Sequence, residues 1–216
     1  MNAGNKKGRP RTHLFYDFVK ITAALPGVVA FRPKYLYENE AAKKRIRGGA
    51  LLIANHFGFF DPVYLQFAVW YRRMRQVCLQ QFFDSRAGWL FRAVHCIPVD
   101  RDNIGMDSIR EIVTSLKNGE VVGMYPEGHI NTENEDIQTF KSGMVLMALQ
   151  SGCPVIAIYM KPRKHWYERL VFAIGEPVDP HTVCGDRKGI AAIEQMTRVL
   201  KEKEESLKIL ASEGKT

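Results

Sequence analysis

Three histidines in this sequence are followed five positions later by an aspartate: His56/Asp61, His95/Asp100 and His181/Asp186. A carboxylate that holds one imidazole nitrogen leaves the other free to take a proton, which is the working part of a general base. Three occurrences make the spacing uninformative, so the surroundings must decide. Residues 94–99 read as a strand, where positions an odd number apart face opposite ways, so His95 and Asp100 should not meet. His181 follows Asp179-Pro180 in a polar stretch, and Asp186 reads as a cap for the last helix. His56 differs. The apolar run Ala50-Leu51-Leu52-Ile53-Ala54 delivers Asn55-His56 to a strand end, where sheet proteins place their chemistry. Gly58 suits a tight turn, and Asp61-Pro62 reads as a helix start with Asp at the cap and Pro at the first helical position. A turn there folds Asp61 back toward the imidazole. A buried histidine beside a helix cap accounts for the same residues without chemistry.

Two further stretches end strands in polar residues. Ile97-Pro98-Val99-Asp100-Arg101 places the Arg101 guanidinium at a sheet edge, suited to a phosphate or to a surface ion pair. Val121-Val122-Gly123-Met124-Tyr125-Pro126-Glu127-Gly128-His129 runs into a turn. Glu127 there could orient a substrate hydroxyl and Gly128 allows close approach, although Pro-Glu-Gly by itself is only a turn. Gly152 to Tyr159 reads as a buried strand.

The elements that must carry these residues alternate. Strands are expected over residues 50–54, 94–99, 121–125, 154–159 and 170–174. Helices are expected over 62–71, 106–117, 142–150 and from about 188 to 210. This is the pattern of an α/β single domain with a largely parallel central sheet flanked by helices. The segment from His13 to Phe31 is apolar with a helical stripe that ends before Pro26-Gly27. It reads as an interfacial helix, a short hydrophobic hairpin or an ordinary core helix. Residues 48–71 are hydropathic, but Asn55, Gly58, Asp61 and Pro62 in mid-segment exclude a membrane span.

The chain has 216 residues and a net charge of +8. Residues 1–47 hold 11 Lys or Arg and 3 Asp or Glu, whereas residues 48–216 hold 20 of each sign. The whole excess therefore lies in an N-terminal unit, 1–47, ahead of a catalytic unit, 48–216, and suits an anionic surface. Asp17 and Lys20 interrupt what would be the apolar part of a secretory signal. Cys78, Cys96, Cys153 and Cys184 form no C-x-x-C pair, which argues against zinc and a disulfide framework and for small buried hydrophobes. There is no Gly-x-Ser-x-Gly elbow, dinucleotide fingerprint or Walker A loop.

The order and spacing of the blocks resembles the glycerolipid acyltransferases of the lysophosphatidate acyltransferase type. Their Asn-His-x4-Asp motif matches Asn55, His56 and Asp61. Their apolar-Asp-Arg motif matches residues 97–101, Phe-Pro-Glu-Gly matches Tyr125, Pro126, Glu127 and Gly128, and Pro-Val-x-Pro-Val matches residues 154–158 loosely. The likeness covers roughly residues 48–180. Two departures stand out: His129-Ile130-Asn131 replaces Thr-Arg-Ser, closer to tafazzin-like members, and the second proline of the last motif is absent.

The resemblance implies an O-acyltransferase of phospholipid biosynthesis or remodelling, with no bound cofactor or metal and no covalent enzyme intermediate. His56 and Asp61 would be catalytic, and Arg101, Glu127 and Gly128 would hold substrate. The acyl donor would be acyl-CoA or acyl carrier protein, and the acceptor a lysophospholipid, by default 1-acylglycerol-3-phosphate. Amides of the His56 turn would meet the oxyanion. Membrane lipids are the expected partners, nucleic acid is not, and the expected location is peripheral, on the cytoplasmic face of a membrane. Another lysolipid as acceptor, or hydrolysis by the same His-Asp pair, stays open.

Overall fold

A computed structural model of the chain describes residues 13–100, 104–128, 130, 140, 143–165 and 167–214. In order the elements are α1 (Leu14–Phe31), β1 (Lys34–Tyr37), β2 (Ala50–Ala54), α2 (Asp61–Ala68), β3 (Met74–Leu79), α3 (Gln80–Asp84), α4 (Gly88–Ala93) and β4 (Ile97–Val99). They continue with α5 (Met106–Lys117), β5 (Val121–Met124), α6 (Gly143–Ser151), β6 (Val155–Met160), β7 (Val171–Ile174), α7 (Pro180–Cys184) and α8 (Ile190–Glu213).

One sheet runs β1-β7-β6-β2-β5-β3-β4. Neighbours are parallel except β6 and β7, so β1 and β7 run against the other five strands. The central strand shows how the layers form. β2 is buried along its whole length, and its side chains alternate. Leu51 and Ile53 join the layer covered by α5, α6 and α8, while Ala50, Leu52 and Ala54 join the layer that includes α2. A strand buried on both faces needs an unbroken apolar run, and that is what residues 50–54 supply.

The expected α/β class with a largely parallel sheet is the observed one. The boundary at residue 47 does not follow the fold: β1, inside the segment assigned to the N-terminal unit, pairs with β7 in register from Lys34↔Val171 to Tyr37↔Ile174. Residues 94–96 are not strand, because α4 ends at Ala93 and His95 takes a left-handed backbone, φ 59°. The last helix starts at Ile190 behind Gly189, so Asp186 does not cap it; Asp179 caps α7 instead.

The apolar segment from residue 14 is one helix that runs through Pro26 to Phe31. It does not stop at Pro26-Gly27, and Gly27 lets it lie close against the sheet domain. A Cβ at Gly27 would sit 2.2 Å from Cζ of Phe67. Along the same side, the Tyr16 hydroxyl bonds the Gln66 side chain and accepts from the Met74 N–H at 2.9 Å. Lys20 donates to the carbonyl of Arg72 at 3.0 Å, and Asp17 pairs with Arg73 through two bonds of 2.7 Å. The opposite side carries Leu14, Phe18, Ile21, Leu25 and Val29, all 64–80% exposed. The core-helix reading is therefore corrected: only Tyr16 and Gly27 of α1 are buried.

Candidate active site

β2 ends at Ala54, and the next residue fixes the strand end to its neighbour. Asn55 is 1% exposed; its Nδ2 donates to the Met160 carbonyl at 2.8 Å and its Oδ1 accepts from the Met160 N–H at 2.7 Å. The chain then turns, with His56, Phe57 and Gly58 ahead of α2. The Nδ1 of His56 lies 2.9 Å from Oδ2 of Asp61. The same oxygen accepts from the N–H groups of Phe57 at 2.6 Å and Gly58 at 2.8 Å. An oxygen that already accepts from two N–H groups meets the imidazole as an acceptor, so the ring carries its proton on Nδ1. Nε2 is then the ring nitrogen open to act as a base.

Two local expectations change. Asp61 is the first residue of α2 and does not cap it, since Phe60 stands at the cap position without a side-chain bond. The carboxylate turns backward to the His56 loop instead. Nor does Gly58 need to be glycine for the turn: a Cβ there would meet Oδ1 of Asp61 at an ordinary 3.7 Å. The amides of Phe57 and Gly58 are also spent on Asp61, so they are not the oxyanion donors.

The second wall comes from the end of β5. Tyr125 stacks on His56 with ring centroids 4.1 Å apart and planes 19° from parallel. Burial first, and then the Asp61 charge, push the pKa of its phenol well above the usual value, so the hydroxyl keeps its proton. The sequence pointed to Tyr125 only as the aromatic before Pro126; the stacking role was not readable from it. Gly128 adopts φ 73°, a conformation that L side chains rarely take, which explains glycine there.

His56, Tyr125, Pro126 and Gly128 line a cavity of about 1930 Å³ that extends beneath α1. It is larger than the roughly 300–1,000 Å³ of a typical small-molecule pocket and is walled mostly by apolar side chains such as Val19, Phe60, Val63 and Phe91.

The structure separates the remaining expected residues. Glu127 does not line this cavity. It is 2% exposed and faces the other layer, where its charge is felt by Glu204 of α8. Asp100 lines the cavity, while Arg101 lies outside the described residues, as does His129. His95 packs its ring against His13. Among the cysteines only Cys184 is fully buried; Cys78 and Cys96 are half-buried in the cavity wall, so the expectation of four small core residues holds for one. Among the described residues no three His, Cys, Asp or Glu side chains cluster to hold a metal ion.

Comparison with known proteins agrees with this geometry. A family model described as acyltransferase matches residues 34–161. A 1-acyl-sn-glycerol-3-phosphate acyltransferase of Bacillus subtilis (strain 168) is 28% identical over 136 residues, which is 60% of this chain and 67% of that protein. A protein of the same name from Streptococcus pneumoniae (strain ATCC BAA-255 / R6) is 26% identical over 136 residues, 60% of this chain and 50% of its own length. The crystal structure of a 1-acyl-sn-glycerophosphate acyltransferase from Thermotoga maritima superposes with a TM-score of 0.66 at 17% identity, covering 94% of this chain and 84% of that one, and shares the fold. With a family model spanning more than half of its length, this chain belongs to the acyltransferase family and is an acyltransferase.

Proposed function

We propose that the chain moves a fatty acyl group from a thioester, acyl-CoA or acyl carrier protein, onto the free hydroxyl of a lysophospholipid, with 1-acylglycerol-3-phosphate as the first acceptor. The observation that carries this is the 2.9 Å contact between His56 Nδ1 and Asp61 at the wall of an apolar cavity. Both named relatives support the choice of acceptor.

In this reading Nε2 of His56 takes the proton of the acceptor hydroxyl as its oxygen attacks the thioester carbon. The tetrahedral intermediate collapses with loss of the C–S bond, and the imidazolium returns the proton to the departing sulfur. Asp61 holds the ring in one tautomer and stabilises its positive charge. The Tyr125 ring lies flat against the imidazole and limits its rotation.

The reaction belongs at a membrane surface. By length and composition α1 could cross a bilayer. Tyr16, Asp17, Lys20 and Gly27 tie one side of it to the sheet domain, which leaves the exposed apolar side to lie in the interface. A cytoplasmic face fits a donor delivered by CoA or acyl carrier protein.

The test is product analysis of purified protein given a thioester donor and 1-acylglycerol-3-phosphate. Phosphatidate should form. Free fatty acid as the sole product would make the protein a hydrolase. The folded His56→Ala variant should lose about 10² to 10⁴ in rate, the usual worth of general-base help; an unchanged rate would remove His56 from the mechanism.

A further inference from the structure

Two arginines distant in sequence meet beside the C-terminal end of α1. Arg32 follows the helix with a left-handed backbone, φ 44°. Arg169 closes the segment between β6 and β7. The Nε of Arg169 donates to the carbonyl of Arg32 at 2.9 Å, and Nη2 of Arg32 donates to the carbonyl of Tyr167 at 2.6 Å. Each bond uses one of the five N–H donors of a guanidinium and fixes its position. Both side chains are exposed and both line the cavity that contains His56.

Among the described residues, neither guanidinium pairs with a carboxylate. Glu168 is the acid nearest in sequence, and its Oε2 accepts instead from the backbone N–H of Lys164 at 2.9 Å. Residues 161–169 carry Lys161, Arg163, Lys164 and Arg169 against Glu168 alone. The segment begins directly after Met160, whose backbone Asn55 holds next to His56. Like charges held together at a cavity wall repel unless an anion joins them. Paired guanidinium forks match the oxygens of a phosphate.

The surroundings select an amphiphile over a free ion. Val28, Val29 and Tyr167, at the same end of α1, are 47%, 69% and 55% exposed. We infer that Arg32 and Arg169 form a phosphate site for a lipid head group, with the apolar residues beside them against the lipid chain. The inference rests on the lipid-acyltransfer reading. The phosphate could belong to the acceptor or to a bilayer lipid, which offer the same chemistry.

The test is the double variant Arg32→Gln/Arg169→Gln in the full chain, with unchanged thermal unfolding as the folding control. One arm measures binding to phosphatidylcholine vesicles with and without phosphatidate. The other measures KM for 1-acylglycerol-3-phosphate in neutral detergent micelles. Losing two charge-assisted bonds should weaken the affected step by roughly 10- to 100-fold. Loss of vesicle binding with unchanged KM supports the site and assigns it to the bilayer. A raised KM with unchanged kcat and vesicle binding supports it and assigns it to the acceptor. Wild-type behaviour in both arms overturns it. If the wild-type protein acylates no lysolipid, the activity reading fails while the vesicle arm still decides the site.

Discussion

Replacing Glu204 by Gln should make this protein more resistant to heat at pH 8 than the wild type, with a much smaller difference at pH 5. Glu204 interrupts the buried stripe of α8, Ala192, Met196, Leu200, Leu207 and Ala211, and is itself 1% exposed. Neither of its carboxyl oxygens has a hydrogen-bond partner among the described residues. Burial, then the charges of Glu127 and Glu205, push its pKa from the usual 4.5 up to about 8. Among the described residues the same layer also holds Tyr159, Cys153 and Cys184, and the neighbouring Lys203 pairs with Glu38 and Glu176. A carboxyl with a raised folded pKa leaves the fold at full stability below its ordinary value and weakens it as pH climbs to the raised one. At about 1.4 kcal/mol per pH unit, roughly 3 kcal/mol is lost by pH 7 and about 4 by pH 8. Gln has nearly the same shape and no proton to lose. Its own burial cost is constant, so the informative quantity is how the difference between the two proteins changes with pH. In a chain of this size 1 kcal/mol moves Tm by about 2–4 °C, so the Tm difference should widen by roughly 10 °C between pH 5 and pH 8. Calorimetry or circular-dichroism melts across that range read this directly. Parallel Tm curves for the two proteins would show that Glu204 does not titrate there and would refute the reasoning.

Three other outcomes are expected. Asn55→Ala removes both side-chain bonds to Met160 and leaves a buried N–H and C=O without those partners; chemical denaturation should show a loss of about 2–4 kcal/mol, with kcat falling as the His56 turn loosens. Gly27→Val forces a Cβ into the Phe67 ring, so α1 should lift from the domain; hydrogen exchange at residues 14–31 should rise while the sheet stays protected. Leu14→Asn with Phe18→Asn changes exposed residues of α1 that do not line the cavity and should abolish sedimentation with lipid vesicles while sparing acyl transfer to a detergent-soluble acceptor.

Much of this arrangement could be read from residue order, and the parts that could not have physical reasons. The elements at residues 50–54 and 106–117 are legible to the residue because an unbroken apolar run and a clean helical stripe each satisfy one periodicity only. β3 is not legible because Met74–Leu79 contains Arg75 and Gln76, polar types that a buried strand seldom holds. Arg75 is tolerated because His95, Ser115 and Glu111, all distant in sequence, receive its donors. β1 is not legible because an edge strand of four half-buried residues has no alternating pattern, and a boundary at residue 47 therefore cuts it away from the sheet it belongs to. At the site, the pairing of His56 with Asp61 followed from local context. The turning inward of Glu127 did not, because the direction of a side chain in a turn depends on what packs behind it. Net charge misled in a similar way. Counting placed all excess cations before residue 48, yet Arg169 from the neutral part stands beside Arg32.

One carboxylate oxygen anchors both a ring and two peptide groups at the head of α2. Exchanging the residue that bears it therefore loosens a stretch of main chain together with the imidazole. The fall in turnover of such a variant is a composite of misplaced backbone and altered proton affinity, and it sets a ceiling on what the negative charge contributes to the chemical step.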